Sequence, residues 1–236
     1  MKRFWTLAEA VPQADGLHAI LLDGRPMRLP GEAAFSVPGQ ALALAVAAEW
    51  QAAGGAKDGE FTAEDIPLTR LAATGVARIS PDPEPTIAGL AAYGETDLLC
   101  YRSDIPRLAE RQTAAWQPVL DWAARSLEAR LMVTEGVMPV PQPEASLAAL
   151  RQALAGLPPL ALAALGVAVP VLGSLVLGLA MAHGRLEPDA AFTLSALDEL
   201  DQEAVWGADA EALAARSRRA GDVALAGRLL SLLDQG

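Results

Sequence analysis

The sequence predicts an α+β protein: an N-terminal mixed β/α domain with a small, mostly antiparallel sheet, followed by an all-helical C-terminal domain. Short apolar stretches separated by turn residues are found before residue 38, whereas only helical periodicity is found after residue 144. Between them, the proline-rich stretch VMPVPQP is the clearest linker. We therefore expect domains at 1–140 and 141–236, with a boundary nearer residue 103 as the alternative.

The β-structure is predicted within residues 3–37, where a turn separates two extended segments. Asp23-Gly24 is a dipeptide favoured in two-residue hairpin turns, so a third strand should follow it directly. Pro26 and Pro30 cannot donate hydrogen bonds to a ladder, which places that strand at an edge of the sheet or ends it early.

The other elements are predicted from the spacing of apolar residues. Apolar side chains that recur every three or four positions indicate helices with one buried face. Pro118 lies inside the longest helix of the N-terminal domain and should kink or restart it. Helices are predicted at 39–53, 69–79, 85–93, 106–129, 144–155, 188–206 and 209–233, and further short strands at 97–102 and 131–136.

An uncharged run at residues 157–183 is long enough to cross a bilayer, for which about 20 apolar residues suffice. Prolines and glycines interrupt the run, however, and no Trp or Tyr marks its edges as a membrane interface would. The amphipathic helices on either side also need an apolar partner. We therefore expect a break near Pro170 and two buried helices at the centre of the C-terminal domain, with a membrane span as the alternative.

The composition disfavours several classes of function. A formal net charge of −11 argues against binding to nucleic acid or to an anionic membrane surface. Cys100 is the only cysteine, and His18 and His183 are the only histidines, so we expect no disulfide and no metal site. No phosphate-binding loop, dinucleotide-binding motif or nucleophile elbow occurs. Taken alone, these residues show no recognisable catalytic site and, because no signal-peptide run is found, we predict a cytoplasmic protein.

The densest acidic region lies between residues 198 and 211. Its carboxylates form either a solvated helix face, as charged side chains usually do, or a docking surface for a basic partner. The five tryptophans are conspicuous in a chain that is otherwise poor in aromatic residues. Most are expected in the core, and one or two are candidate anchors for a partner, because tryptophan is frequent at interface hot spots.

A family resemblance is carried by several phrases that occur together. They are KRFW, LDGRPMRLP, ALAVAAEW, PLTRLA, TDLLCYR, RQTAAWQPVLDW, LGSLVLGLA, LSALDE and WGADAEA. In combination they resemble the assembly chaperones of the ATP synthase catalytic sector that act on its α subunit, the ATP-twelve type. The resemblance covers essentially the whole chain, and the bacterial version is the better match because no transit-peptide pattern is found.

This resemblance implies a function without catalysis, in which members bind unassembled α subunit and shield the surface that the β subunit later covers. It also implies an important acidic residue just after Trp206-Gly207. Glu211 is the closest counterpart and Asp209 is the alternative. Asp209 is equally well explained as the N-cap of the last helix, a position that aspartate favours.

Trp50 also matches a family motif, although we interpret it as structural first. The predicted partner-binding residues are therefore Glu211, Asp209, Trp206 and Trp50, in a monomer that needs neither cofactor nor metal. The competing hypothesis is an enzyme that binds a small molecule in a cleft between the two domains. The lack of a recognisable nucleophile–base pair or metal cluster counts against that hypothesis.

Overall fold

The computed structural model describes residues 1–29, 34–207 and 209–235. It confirms the α+β class, with a small antiparallel sheet near the N-terminus and helices through most of the remaining chain. The strands are β1 (Ala8–Pro12), β2 (Leu17–Leu22), β3 (Arg25–Pro26), β4 (Ser36–Pro38), β5 (Tyr101–Arg102) and β6 (Thr134–Glu135). The α-helices are α1 (Gln40–Ala52), α2 (Pro67–Thr74), α3 (Glu84–Ala91), α4 (Pro106–Ser126), α5 (Glu144–Ala155), α6 (Pro159–Leu172), α7 (Leu175–Ala182), α8 (Pro188–Ser195), α9 (Leu197–Trp206) and α10 (Ala210–Asp234).

The chain forms two compact units. Unit 1 comprises Met1–Pro83, Pro159–Ala164 and Arg228–Gly236, and unit 2 comprises Glu84–Pro158 and Leu165–Gly227. These units are sets of residues that lie close together in space. The predicted boundary at residue 140 concerns consecutive stretches of chain that fold separately, and it stays a prediction.

In unit 1, β2 is the central strand of the sheet. It pairs antiparallel with β1 along one edge, while β3 and β4 pair in turn with the other edge. Asp23 and Gly24 both have positive φ angles, 49° and 74°, as a two-residue hairpin turn of type I′ requires. The third strand ends early, as expected, because only Arg25 and Pro26 pair with β2. Pro30 lies outside the described residues.

The first residues of the chain do not form a strand, contrary to the prediction that β-structure begins at residue 3. Arg3 holds them instead, with its side chain buried against the C-terminal end of α1, where carbonyl oxygens favour a cation. Its guanidinium donates hydrogen bonds of 2.7–3.2 Å to the carbonyl oxygens of Trp5, Thr6, Gln51, Ala53 and Gly55.

The uncharged run of residues 157–183 forms two helices, α6 and α7, as predicted. The break lies at Gly173, three residues after the expected site, and Pro170 is inside α6. Gly173 ends α6 because its φ of 63° is in the left-handed region, which glycine adopts without steric cost. None of the helices in the described part of the chain is both long and apolar enough to cross a membrane.

A buried carboxylate holds the start of α7. Asp97 is fully buried and accepts hydrogen bonds of 3.0 Å from the backbone N–H groups of Leu99 and Val176. The neighbouring N–H of Leu98 donates to the carbonyl oxygen of Gly173 at 3.0 Å. Asp97 thereby joins its own segment to the first turn of α7, where the helix dipole favours a negative charge.

Two predicted strands, 97–102 and 131–136, were largely wrong. Residues Leu98–Cys100 form a 3₁₀ turn, and only two residues of each stretch pair, in the parallel β5–β6 ladder. The apolar composition of these stretches favoured strands, but polar contacts decide the local backbone. The buried guanidinium of Arg102 donates to the carbonyl oxygen of Leu99 at 2.7 Å. In a continuous strand, that carbonyl oxygen would instead point towards a neighbouring strand.

The predicted helix at 188–206 is also broken, at Ala196, into α8 and α9. A tertiary hydrogen bond favours the break. The indole N–H of Trp116 donates to the carbonyl oxygen of Leu194 at 2.9 Å, and in a continuous helix that oxygen would accept from the backbone N–H of Asp198.

Glycines allow close packing in unit 2. A Cβ atom added at Gly178 would lie 2.6 Å from a methyl carbon of Val169 in α6. At Gly227 in α10, an added Cβ would lie 2.0 Å from Cγ of Pro188, whose ring cannot rotate away. Gly178, in the apolar run, therefore permits close approach of α7 to α6, and Gly227 permits close approach of α10 to α8.

The substitution Gly227→Ala should lower the free energy of unfolding by about 1–3 kcal/mol, because it overpacks α10 against Pro188. Gly221→Ala is the matched control on the same helix, since an added Cβ there meets nothing within 4 Å. The control should raise stability by about 0.5–1 kcal/mol through helix propensity. Urea unfolding of both variants measures this, and equal effects would contradict the close contact.

The stability contribution of Asp97 should depend on pH. Burial raises the pKa of its carboxyl to about 6, while the backbone N–H donors oppose that rise. Between about pH 4 and 6 the folded protein therefore holds a proton that the unfolded chain releases, so this contribution is present at low pH and is lost as the pH rises through 6. The stability difference between wild type and Asp97→Asn should be more favourable to wild type at pH 4.5 than at pH 7, by roughly 1–2 kcal/mol. Urea unfolding at both pH values checks this, and a difference of opposite sign would contradict it.

Candidate partner-binding surface

The acidic helix α9 is attached to α4 through its carboxylates. Asp201 is buried and pairs with Arg107 at 2.7 Å and with Arg111. Asp198 accepts a hydrogen bond of 2.7 Å from the side-chain amide of Gln112. Charged and polar contacts therefore join α9 to α4.

The other side of α9 is attached to α10 by arginines. Arg216 pairs with Glu203 and lies 3.6 Å from Glu199, which also pairs with Arg219. Together with the contacts to α4, these pairs engage the four carboxylates of α9. The carboxylates of α9 therefore form neither a simple solvated face nor a free docking surface for a basic partner. The arginines are visible in the sequence, but only the tertiary structure shows which carboxylates they meet.

The C-terminal end of α9 and the first turn of α10 form an exposed surface, which we call the α9–α10 corner and define by Val205, Trp206, Asp209 and Glu211. The side chains of Val205 and Trp206 are 58% and 86% exposed. Burial of so large an aromatic surface is worth several kcal/mol, and its exposure in a folded protein is typical of interaction sites.

The two candidate carboxylates of the corner differ in their contacts. Asp209 accepts from the backbone N–H groups of Glu211 and Ala212 at 3.4 and 3.3 Å, so it caps α10. Glu211 is exposed, and its side chain makes no ion pair with any residue that the structure describes. The structure therefore supports the capping explanation for Asp209 and leaves the carboxylate of Glu211 available.

A groove of about 320 Å³ runs between α8, α9 and α10. The wall from α10 consists of Leu213, Arg216, Ser217 and Ala220, which share one helix face. The opposite wall is supplied by Phe192, Thr193, Ala196 and Leu200. At about 100° per residue, Glu211 lies on the opposite side of α10 from this face.

Trp50, the fourth predicted site residue, belongs to unit 1 and is half-buried there. Its indole N–H donates to the hydroxyl of Thr69 at 3.0 Å, and its ring lies 5.0 Å from that of Trp5 and 5.8 Å from that of Phe61. The adjacent Glu49 accepts from the backbone N–H of Thr69 at 2.7 Å and so binds the first turn of α2. These contacts give Trp50 a packing role, and its part in partner binding stays a prediction.

Sequence reasoning missed two apolar residues of this region, Val205 and Leu213, whose side chains are 58% and 42% exposed. A signal was available for the first: Val205 lies off the helix face that Leu197 and Leu200 share, so α9 cannot bury all three together. For Leu213, the apolar spacing of the last helix alone predicts burial. The structure places it in the wall of the groove.

No catalytic or metal centre is found among the described residues. No group of three or more His, Cys, Asp or Glu side chains there could hold a metal ion. Cys100 is buried, and burial raises the pKa of its thiol to about 12, so it is an unreactive thiol rather than a nucleophile.

This chain is similar to a known protein family and to solved structures. The family described as "ATP12 chaperone protein" matches residues 2–124. The crystal structure of Atp12 from Paracoccus denitrificans is 40% identical, with a TM-score of 0.91 over 98% of this chain and 98% of that chain. An aspartate-to-lysine mutant of the same protein matches with the same identity and score over 98% and 97%. A protein from Agrobacterium tumefaciens described as a chaperone candidate is 36% identical, with a TM-score of 0.90 over 98% and 86%.

The family match covers half of the chain, and the P. denitrificans structure extends the similarity over nearly all of it. The expected resemblance to a bacterial member is thereby confirmed. Members are assembly chaperones rather than enzymes, which confirms the prediction of a role without catalysis. The chain therefore belongs to the ATP12 chaperone family of ATP synthase assembly.

Proposed function

We propose that this protein binds the unassembled α subunit of the ATP synthase catalytic sector and shields the surface that the β subunit later covers. Membership of the ATP12 family supports a role in assembly of this enzyme. The observation on this chain that carries the proposal is the α9–α10 corner. It combines a highly exposed tryptophan with a carboxylate that has no ion-pair partner among the described residues.

An exposed aromatic side chain suits a chaperone that must recognise an unassembled subunit. The client surface that the β subunit later covers should be apolar at its centre, because subunit interfaces bury apolar side chains there. Trp206 can supply most of the contact energy there, since a few aromatic anchors dominate binding at typical interfaces. Val205 enlarges the apolar area beside it.

Glu211 adds a charge that selects for a basic group on the client. It lies in the first turn of α10, where the helix dipole stabilises the carboxylate before any partner arrives. The net charge of −11 would further speed association with a basic client surface. The P. denitrificans relative has been studied as an aspartate-to-lysine mutant, a charge change of the same kind as the one we suggest below.

The proposed chaperone acts in the bacterial cytoplasm as a single copy and needs no cofactor. Each client contact described above comes from one chain, so no second copy is required to complete the site. The basic test is whether the purified protein forms a complex with isolated α subunit and suppresses its aggregation. The proposal fails if it does neither.

Replacement of Trp206 by alanine should weaken binding of isolated α subunit by tenfold or more, because truncation of a central aromatic anchor typically costs about 2 kcal/mol or more. The free energy of unfolding should change by less than about 0.5 kcal/mol, since the side chain packs little in the free protein. Titration calorimetry and urea unfolding measure the two quantities. Unchanged affinity would remove Trp206 from the interface, and a large loss of stability would give it a packing role.

The substitution Glu211→Lys should weaken the same complex by about tenfold, which corresponds to about 1.4 kcal/mol. Asp222→Lys is the matched control, because Asp222 is exposed on the same side of α10, about 16 Å along the helix. The control should leave affinity unchanged at physiological salt, where the Debye length is about 8 Å. Equal weakening by both variants would point to net charge rather than to a contact at Glu211.

A further inference from the structure

We infer that the groove between α8, α9 and α10 receives one bulky, uncharged side chain of the client polypeptide; this inference rests on the proposed function. The groove is preformed, with a volume of about 320 Å³. Phe192, Leu200 and Leu213 form its apolar walls. Its volume lies at the lower end of the range for pockets that bind small molecules, about 300–1,000 Å³, which is enough for one large side chain and its adjoining backbone.

The charges of the groove select an uncharged occupant. Arg216 is the only charged residue among those that line it, and the side chain of this arginine is 13% exposed. Its guanidinium pairs with Glu203 and lies 3.6 Å from Glu199, so its charge is compensated within the protein. An anionic or cationic metabolite would therefore lose its hydration without finding an unpaired opposite charge. An apolar side chain carries no such cost.

The polar groups of the groove favour a polypeptide over an isolated apolar molecule. Thr193 and Ser217 are exposed and line the groove with hydroxyl groups. The hydroxyl of Thr193 donates to the carbonyl oxygen of Asp189 at 2.8 Å and can accept a further hydrogen bond, and that of Ser217 can both donate and accept. The backbone that carries the inserted side chain offers the matching carbonyl and N–H groups.

The groove and the proposed interface share the helices α9 and α10. Leu213 follows Glu211 by two residues, a rise of about 3 Å along α10, and α9 supplies both Leu200 and Trp206. Glu211 and the groove lie on opposite sides of α10, so one client can meet both only by wrapping the α9–α10 corner. The inferred binding mode is therefore an aromatic anchor from the chaperone at the corner and an apolar anchor from the client in the groove.

The test is to fill the groove from one exposed residue of its wall, leaving its apolar side chains in place. Ser217→Trp places a large ring in the groove from an exposed position, and Asp222→Trp places the same ring about 140° away on α10. With full-length protein and isolated α subunit, Ser217→Trp should weaken binding at least tenfold, whereas Asp222→Trp should bind as wild type does. Equal binding by wild type and Ser217→Trp would overturn the inference. Failure of wild type to bind would instead overturn the proposed function, and the inference with it.

A second measurement does not depend on the filled variant folding correctly. The photoreactive residue p-benzoylphenylalanine is placed at position 217 or 222 of the full chain, which is irradiated with isolated α subunit. Position 217 should cross-link to an apolar stretch of that subunit, and position 222 should give at least tenfold less product. Equal yields, or cross-links from position 217 only to charged stretches, would overturn the inference.

Discussion

The junction between α6 and α7 is the constraint on which the helical part of this protein depends. An uncharged run of this length would favour one long helix, yet Gly173 turns the chain and Asp97 binds the N–H of Val176 at the start of the second helix. The cost of burying a carboxylate is offset in part by N–H donors and by the helix dipole. Two short helices result, and the amphipathic helices α8 to α10 can follow them because the chain has turned.

The placement of α9 follows from a different kind of interaction. This helix is held by pairs between its carboxylates and arginines of α4 and α10. Because the attachment relies on charges along its length, the apolar residues at its end, Val205 and Trp206, are not needed for packing. They stay exposed and form the α9–α10 corner. The carboxylates of α9 thus hold the helix in the position in which this apolar surface is exposed.

Many phrases that carry the family resemblance describe internal contacts rather than a binding surface. In TDLLCYR, Asp97 binds α7, and in RQTAAWQPVLDW, Gln112 and Trp116 bind Asp198 and the carbonyl oxygen of Leu194, both in LSALDE. Because Val176 lies in LGSLVLGLA, four phrases are joined in two pairs by hydrogen bonds within unit 2. Such a set identifies a family well, because buried polar groups tolerate few substitutions. It says little about which surface meets a client.

The sequence by itself determined the α+β class, most helices, the Asp23-Gly24 hairpin and the division of the apolar run, because these depend on local propensity and on the period of apolar residues. It also brought Trp206, Asp209 and Glu211 to attention. Only the tertiary structure decided that Leu98–Cys100 form a turn rather than part of a strand, and that the carboxylates of α9 are paired. The physical reason is the same in both cases: Asp97 and the carboxylates of α9 take partners in other helices, and no local pattern encodes which partner that is.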